Sequence, residues 1–314
     1  MKTLKVFAFT MSMVMVFSIT SLAAFSDVSK EDSFHEAVSI LSQLKILTGY
    51  ENGTFKPGET ITRAEFSAVI CRLLGMGESV KGNTGNSFTD VSSVYWANEY
   101  IYAVNMLGIV NGYGDGTFGP DNDVKYEEAV KMVICALGYN EKAAALGGYP
   151  TGYIMVANQL GITMGTTQRV GNSENGAARS TVAKLVFNSL TVPMMDQISF
   201  GEKAEYVVDV NSSILYTKFE IIKAEIKVEK VLDGSGEGKA EVEYISIPDS
   251  AKANNWYVKN GTAIIGSTDE DAKQLPSTIT IGDFDLTASA GAQADAYISA
   301  HDALKPILMA YYVK

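Results

Sequence analysis

The residues of this sequence best suited to recognition chemistry are two arginines and a few aromatic rings. Arg63 stands in Thr62-Arg63-Ala64-Glu65 and Arg179 in Ala178-Arg179-Ser180-Thr181, each at the first turn of an expected helix. A cation gains nothing from the positive end of the helix dipole, so an anion nearby is the better explanation of Arg63. Guanidinium holds a carboxylate through two parallel hydrogen bonds, a geometry that lysine does not reproduce. A surface ion pair is the plainer alternative. Thr62 and Glu65 have the spacing of a capping box and need no ligand to explain them. Trp96 offers an aromatic face of the kind that stacks on the apolar side of a sugar ring, although it lies one residue from an apolar stripe where it would serve the core.

Other chemistry finds less support. Asp115, Asp121 and Asp123 lack the alternating oxygens and closing glutamate of a calcium loop, so turn and cap roles are expected. His35 reads as a solvated helix position, and His301-Asp302 as a lone pair without a nucleophile motif. No carboxylate spacing, phosphate loop or zinc spacing stands out, so no catalytic residue, metal or cofactor is assigned. Cys71 and Cys135 lie beside apolar stripes at non-equivalent positions and are expected as buried free thiols rather than a bridge.

The elements that position these residues are duplicated. Sliding the sequence by 63 residues lays 25–76 on 88–139 without a gap, and sixteen of those 52 positions are identical, well above chance. A further shift of 53 places Leu160-Gly161-Ile162 on Leu107-Gly108-Ile109, the start of a shorter, degraded third copy. Each copy reads as helix, loop, helix. Phe34, Val38, Leu41 and Leu44 form one helical stripe and Phe66, Val69, Ile70 and Leu73 the next. Gly49, Gly112 and Gly165 are expected to end the first helices as left-handed caps. Phe55 and Phe118, in Gly49-Tyr50-Glu51-Asn52-Gly53-Thr54-Phe55 and its copy at 112–118, are expected to plug the core. One stripe per helix cannot be buried alone, so the copies must pack together.

The flanks set the compartment. Lys2 and Lys5 precede an apolar stretch, Val6 to Ile19, and small residues follow, so residues 1–24 read as a secretory signal. The formal charge of −11 becomes −13 without those lysines, which disfavours nucleic acid or an anionic membrane face as partner. Beyond Pro193 the pattern turns to short β-branched runs at Tyr206–Val210, Lys218–Val228, Glu241–Ile247, Ala263–Ile265, Thr278–Ile281 and Ile307–Val313, with a turn at Asp233-Gly234-Ser235-Gly236 and a bulge near Ile222-Lys223.

Phe-x-Asp-Val, Gly-Tyr-x-(Asn/Asp)-Gly-Thr-Phe-x-Pro and Ile61-Thr62-Arg63-Ala64-Glu65-Phe66 together resemble the S-layer homology module, over residues 25–192. The resemblance implies an α+β multidomain chain. A signal peptide (1–24) precedes an N-terminal all-α pseudo-threefold bundle of three helix-loop-helix repeats (25–80, 88–140 and a degenerate 149–192), and a C-terminal β-rich domain (200–314) follows.

It also implies an exported protein held noncovalently to an acidic, pyruvylated secondary cell-wall polysaccharide of a Gram-positive-type envelope, with surface-layer proteins as further partners and no membrane contact once the signal is removed. If grooves form between copies, the full set is Arg63 with Asp90, Trp96, Gly112 and Tyr113. The second groove would have Tyr126 in place of its arginine, and the third would keep Arg179 but lack a tryptophan. A wall-anchored enzyme acting on polysaccharide, or a carbohydrate- or protein-binding module at 200–314, is the competing reading.

Overall fold

The computed structural model describes residues 25–85, 87–168, 176–198, 205–232, 238–247, 256–259, 262–265, 273–274, 276–282, 284, 286, 289–299 and 306–314. The expected signal segment, the turn at 233–236 and the His301-Asp302 pair lie outside them.

The N-terminal half is helical: α1 (His35–Gln43), α2 (Arg63–Leu73), α3 (Asn98–Met106), α4 (Tyr126–Ala136), the short α5 (Asn140–Ala145), α6 (Thr151–Gln159) and α7 (Arg179–Ser189). The apolar stripes decide how they pack. Helix α2 lies on α3, α4 on α6, and α7 returns to α1, so each second helix buries its stripe against the first helix of the next pair. At the centre, the N–H of Ile61 donates to the carbonyl of Ala177, that of Ala177 to Val124, and that of Val124 to Ile61, at 3.2, 2.7 and 2.9 Å. The three residues are offset by 63 and 53 in sequence, and all are fully buried.

The first helices stop four residues earlier than expected. The left-handed residues that end them are Lys45, Gly108 and Gly161, at φ 58°, 69° and 73°; Gly112 and Gly165 are left-handed as well, at 67° and 69°, but lie beyond the helix ends. The N–H groups of Ile46, Ile109 and Ile162 then reach back to Leu41, Val104 and Ala157, all at 2.9 Å, satisfying carbonyls that the helix end leaves free. Gly49 serves close approach instead: a Cβ there would sit 2.2 Å from the Phe25 ring and 2.6 Å from the Thr54 carbonyl. The loops are held from beneath, because Phe55 and Phe118 are fully buried and ring-packed against Phe25 and Phe88.

The C-terminal part is β-rich. A hairpin of β1 (Pro193–Gln197) and β2 (Tyr206–Ser213) leads through α8 (Ile214–Phe219) to β3 (Ile221–Leu232) and β4 (Gly238–Ser246). Strands β5 (Trp256–Lys259), β6 (Thr262–Ile265) and β7 (Lys273–Gln274) form a separate small sheet, and β8 (Thr278–Gly282), β9 (Gln293–Ser299) and β10 (Ile307–Val313) follow. Strands β3, β4, β8, β10 and β9 close in that order into a barrel in which only β8 and β10 run parallel. This is a five-stranded Greek-key barrel of the OB type.

No bulge interrupts β3 at Ile222-Lys223, where pairing with β9 is continuous; the shifts against β4 fall at Glu225/Ile226 and Val228/Lys230. The broken alternation has another cause. Ile221 packs into the helical core, whereas Ile222, Ala224, Ile226 and Val228 face the barrel interior. The barrel also rests on α1. Gln43 both donates to the Tyr311 carbonyl and accepts from its N–H, and His35 stacks on Tyr312 with Nδ1 3.2 Å from its hydroxyl, so His35 is not a solvated position.

Candidate functional site

The two arginines occupy matching environments. Arg179 Nε donates to the Phe55 carbonyl at 2.8 Å, and its guanidinium lies between the Tyr50 and Phe55 rings, 4.8 and 4.9 Å from their centroids. Arg63 Nε donates to the Phe118 carbonyl at 2.8 Å and lies between Tyr113 and Phe118 at 4.7 and 4.6 Å. Both are almost fully buried, at 4% and 5% exposure. Their backbones are fixed the same way: the N–H groups of Arg63 and Ala64 donate to Asn122 and Pro120, and those of Arg179 and Ser180 to Glu59 and Pro57. The first turn of each helix is thus plugged into the loop of a different pair, which aims its arginine at that loop's tyrosine.

Their charges are balanced differently. Arg63 Nη1 meets Glu128 at 3.0 Å, so the anion that its position implied is a carboxylate of the protein itself. Arg179 has a further bond to the Thr48 carbonyl at 2.9 Å, but no carboxylate stands within 4 Å of it among the described residues. Carbonyl dipoles and ring faces stabilise a guanidinium without cancelling its charge.

Arg179 lines a cleft of about 190 Å³ with Thr48, Gly49, Tyr50, Glu65, Ala68, Arg72 and Trp96. Trp96 is 55% exposed and stands between Tyr95 and Tyr100, with ring centroids 6.0 and 6.5 Å away. This corrects the expected grouping. Trp96 shares its cleft with Arg179 and the Gly49-Tyr50 turn, whereas Gly112 and Tyr113 belong with Arg63. The reason is the cyclic packing: α2 separates its own first-turn arginine, which points at the second loop, from the face that α3 covers with Trp96.

Shifting the cleft by the repeat offsets gives a second set: Arg63 for Arg179, Tyr113 for Tyr50, Glu128 for Glu65, Lys131 for Ala68, Cys135 for Arg72 and Tyr149 for Trp96. Here Lys131 lies over the Tyr149 and Tyr153 rings, 5.7 and 5.9 Å from their centroids, a place that Ala68 leaves open in the first set. In the third, Tyr126 replaces the arginine, its hydroxyl 3.4 Å from that of Thr166, and Ser33 replaces the tryptophan. Sequence reasoning missed Tyr50, Arg72 and Tyr149. The offset of 53 would have marked Tyr149 as the partner of Trp96.

The remaining candidates have structural work. Asp90 accepts from the N–H groups of Phe118 and Gly119 at 2.8 and 2.7 Å, and Asp27 repeats this with Phe55 and Lys56, both at 2.7 Å. Desolvation works against ionisation of Asp27, but these backbone donors, with a smaller contribution from the charge of Arg179, outweigh it and hold its carboxyl below the usual range. Asp115 accepts from Thr117, Asp121 from the Tyr95 hydroxyl and Asp123 from Thr60. Thr62 and Glu65 form both bonds of the capping box. Cys71 and Cys135 are free, the first fully and the second partly buried, and burial pushes their thiols up to about 12 and about 11.

Residues 24–67 and 87–130 match the family model of the S-layer homology domain. The chain thus carries two S-layer homology domains, and the relatives it resembles are cell-wall and cell-surface proteins. It is 28% identical over 277 residues to the middle cell wall protein of Brevibacillus brevis, covering 86% of this chain and 25% of that protein. With the surface layer protein of Brevibacillus choshinensis it shares 32% identity over 188 residues, 60% of this chain and 16% of the relative. A cell surface protein of Thermoanaerobacter kivui is 29% identical over 230 residues, 66% of this chain and 29% of the relative. The chain therefore spans less than a third of the length of these relatives.

Proposed function

We propose that residues 25–192 form a pseudo-threefold anchoring unit that holds the protein noncovalently to an acidic secondary cell-wall polysaccharide, and that the Arg179 cleft is its main site. The observation that carries this reading is a buried guanidinium with no carboxylate within 4 Å among the described residues, beside an exposed tryptophan, in a chain of formal charge −11. The cyclic helix packing and the ring of bonds through Ile61, Val124 and Ala177 support the threefold arrangement. Arg179 meets an acid group such as the carboxylate of a pyruvyl ketal, and Trp96 stacks on the sugar ring. Arg63, with Gly112, Tyr113 and Tyr149, forms a second, weaker site, because Glu128 already compensates its charge. Asp90 contributes by bracing the Phe118 loop. The β-rich part is displayed by this anchor; surface-layer proteins are its expected neighbours.

The test is cosedimentation of the full chain with purified walls before and after extraction of the polysaccharide. Arg179→Gln and Trp96→Ala should each reduce retention at least tenfold, while the Trp96 variant melts within a few degrees of the parent because its ring is exposed. Retention unchanged in both variants, or unchanged by extraction, would overturn the proposal.

A further inference from the structure

Glu65, Ala68, Val69 and Arg72 stand at intervals of three, one and three on α2 and line the cleft as one face of the helix. Glu65 and Arg72 are seven residues apart, two turns or about 10 Å along the axis. The cleft therefore has two ends. By the repeat offsets Arg179 stands to Glu65 as Arg63 stands to Glu128, its partner at 3.0 Å, so Arg179 belongs with the first turn of α2, and Arg72 lies at its last turn.

Arg72 is held for use. The Tyr100 ring lies 5.8 Å from its guanidinium carbon, and Gly77 packs on its stem so closely that a Cβ there would sit 3.1 Å from Arg72 Cγ. No carboxylate stands within ion-pair distance of Arg72 among the described residues, and Glu65, the acid on the same face, bonds the Thr62 N–H at 2.9 Å. A cation in a last turn suits the helix dipole, but the dipole asks for no particular position around the turn. The other two copies have Cys135 and Asn188 at the equivalent place, so the feature belongs to this cleft alone. Ala68 between the ends keeps the floor low, where the corresponding lysines, Lys131 and Lys184, are long.

We infer that Arg72 is a second specificity-determining cation, and that the cleft reads a glycan segment carrying two anionic groups, one held by Arg179 and the other by Arg72. This rests on the Arg179 cleft being the polysaccharide site. Trp96 stacks on the ring between the two groups. A glycan with a single acid group satisfies only the Arg179 end and binds more weakly. The second group is a carboxylate or a phosphate diester, since guanidinium donates paired hydrogen bonds to the oxygens of either.

The experiment titrates the full-length parent, Arg72→Gln, Arg72→Lys and Arg179→Gln proteins with purified secondary wall polysaccharide at several salt concentrations. A second series uses the same polymer after carbodiimide-borohydride reduction of its carboxylates. Arg72→Gln should weaken binding about tenfold and lower its salt dependence, and Arg72→Lys should recover part of both. A carboxylate partner predicts that the loss vanishes on the reduced polymer; a phosphate partner predicts that it persists there. Arg72→Gln with affinity and salt dependence unchanged, while Arg179→Gln is impaired, would overturn the two-anion inference and leave the cleft assignment standing. Arg179→Gln without effect would instead overturn the assignment on which it rests.

Discussion

Replacing Glu128 with glutamine should loosen the protein and tighten its hold on the wall. Glu128 Oε1 lies 3.0 Å from Arg63 Nη1, with side-chain exposures of 19% and 7%, so the pair is screened only in part. Its other oxygen accepts from the Lys125 N–H at 2.9 Å, capping α4. Glutamine removes the charge and brings one acceptor oxygen to two donors, so it keeps the cap and turns its NH2 towards Arg63, losing that bond. Hydrogen bonds to charged groups contribute about 1.5–3 kcal/mol, so the loss is of that size. For a unit of this size that is a fall of about 3–12 °C in the thermal midpoint. The same change leaves Arg63 without a carboxylate in direct contact, the state of Arg179 among the described residues, and raises the positive potential of the second site beside Lys131 and Tyr149. Affinity for acidic wall polysaccharide should rise about tenfold, equivalent to about 1.4 kcal/mol, and the gain should fade with salt. Differential scanning fluorimetry and titration calorimetry on one preparation separate the two effects. Binding that falls in step with stability, or is unchanged, would refute the electrostatic account of why the first cleft outranks the second.

Two further changes probe the scaffold. Ala68→Lys should lay a lysine stem across the main cleft, as Lys131 lies across its own site, and reduce wall retention at least tenfold in cosedimentation while the fold persists; undiminished retention would place the ligand elsewhere. Glu36 has its carboxyl pushed up, first by burial against the barrel, where Lys223 and Lys314 oppose the shift and Asp295 adds to it. The folded state therefore holds a proton that the unfolded chain has released, and stability falls as pH rises from the ordinary carboxylate value of 4.5 through the raised one. Glu36→Gln should raise the melting temperature at pH 7 and flatten that part of the profile. A lower melting temperature at pH 7 would show that the charged form is the stabilising one.

The local features were legible because they depend on residues close in sequence. Apolar spacing of three and four placed the helices, the Thr62 to Glu65 interval defined the capping box, and the Phe55 and Phe118 plugs followed from loops that repeat. Alternating β-branched runs located β4, β8 and β10 within a few residues. Strand β9 escaped because all but the ends of its run of alanines, tyrosine and isoleucine are buried, leaving no alternation to read. The partnership of side chains was a different matter. Arg63, Trp96 and Tyr113 were expected in one groove because their copies adjoin in the chain, yet the ring of packing that returns α7 to α1 brings Arg179 to Tyr50 from across 129 positions and seats Trp96 beside them. Sequence by itself determined which residues repeat and what each could bond. Only the tertiary structure decided which copies meet, and that Arg63 pairs with Glu128 while Arg179 bonds backbone carbonyls, because burying each helical stripe requires a neighbour that chain order does not name.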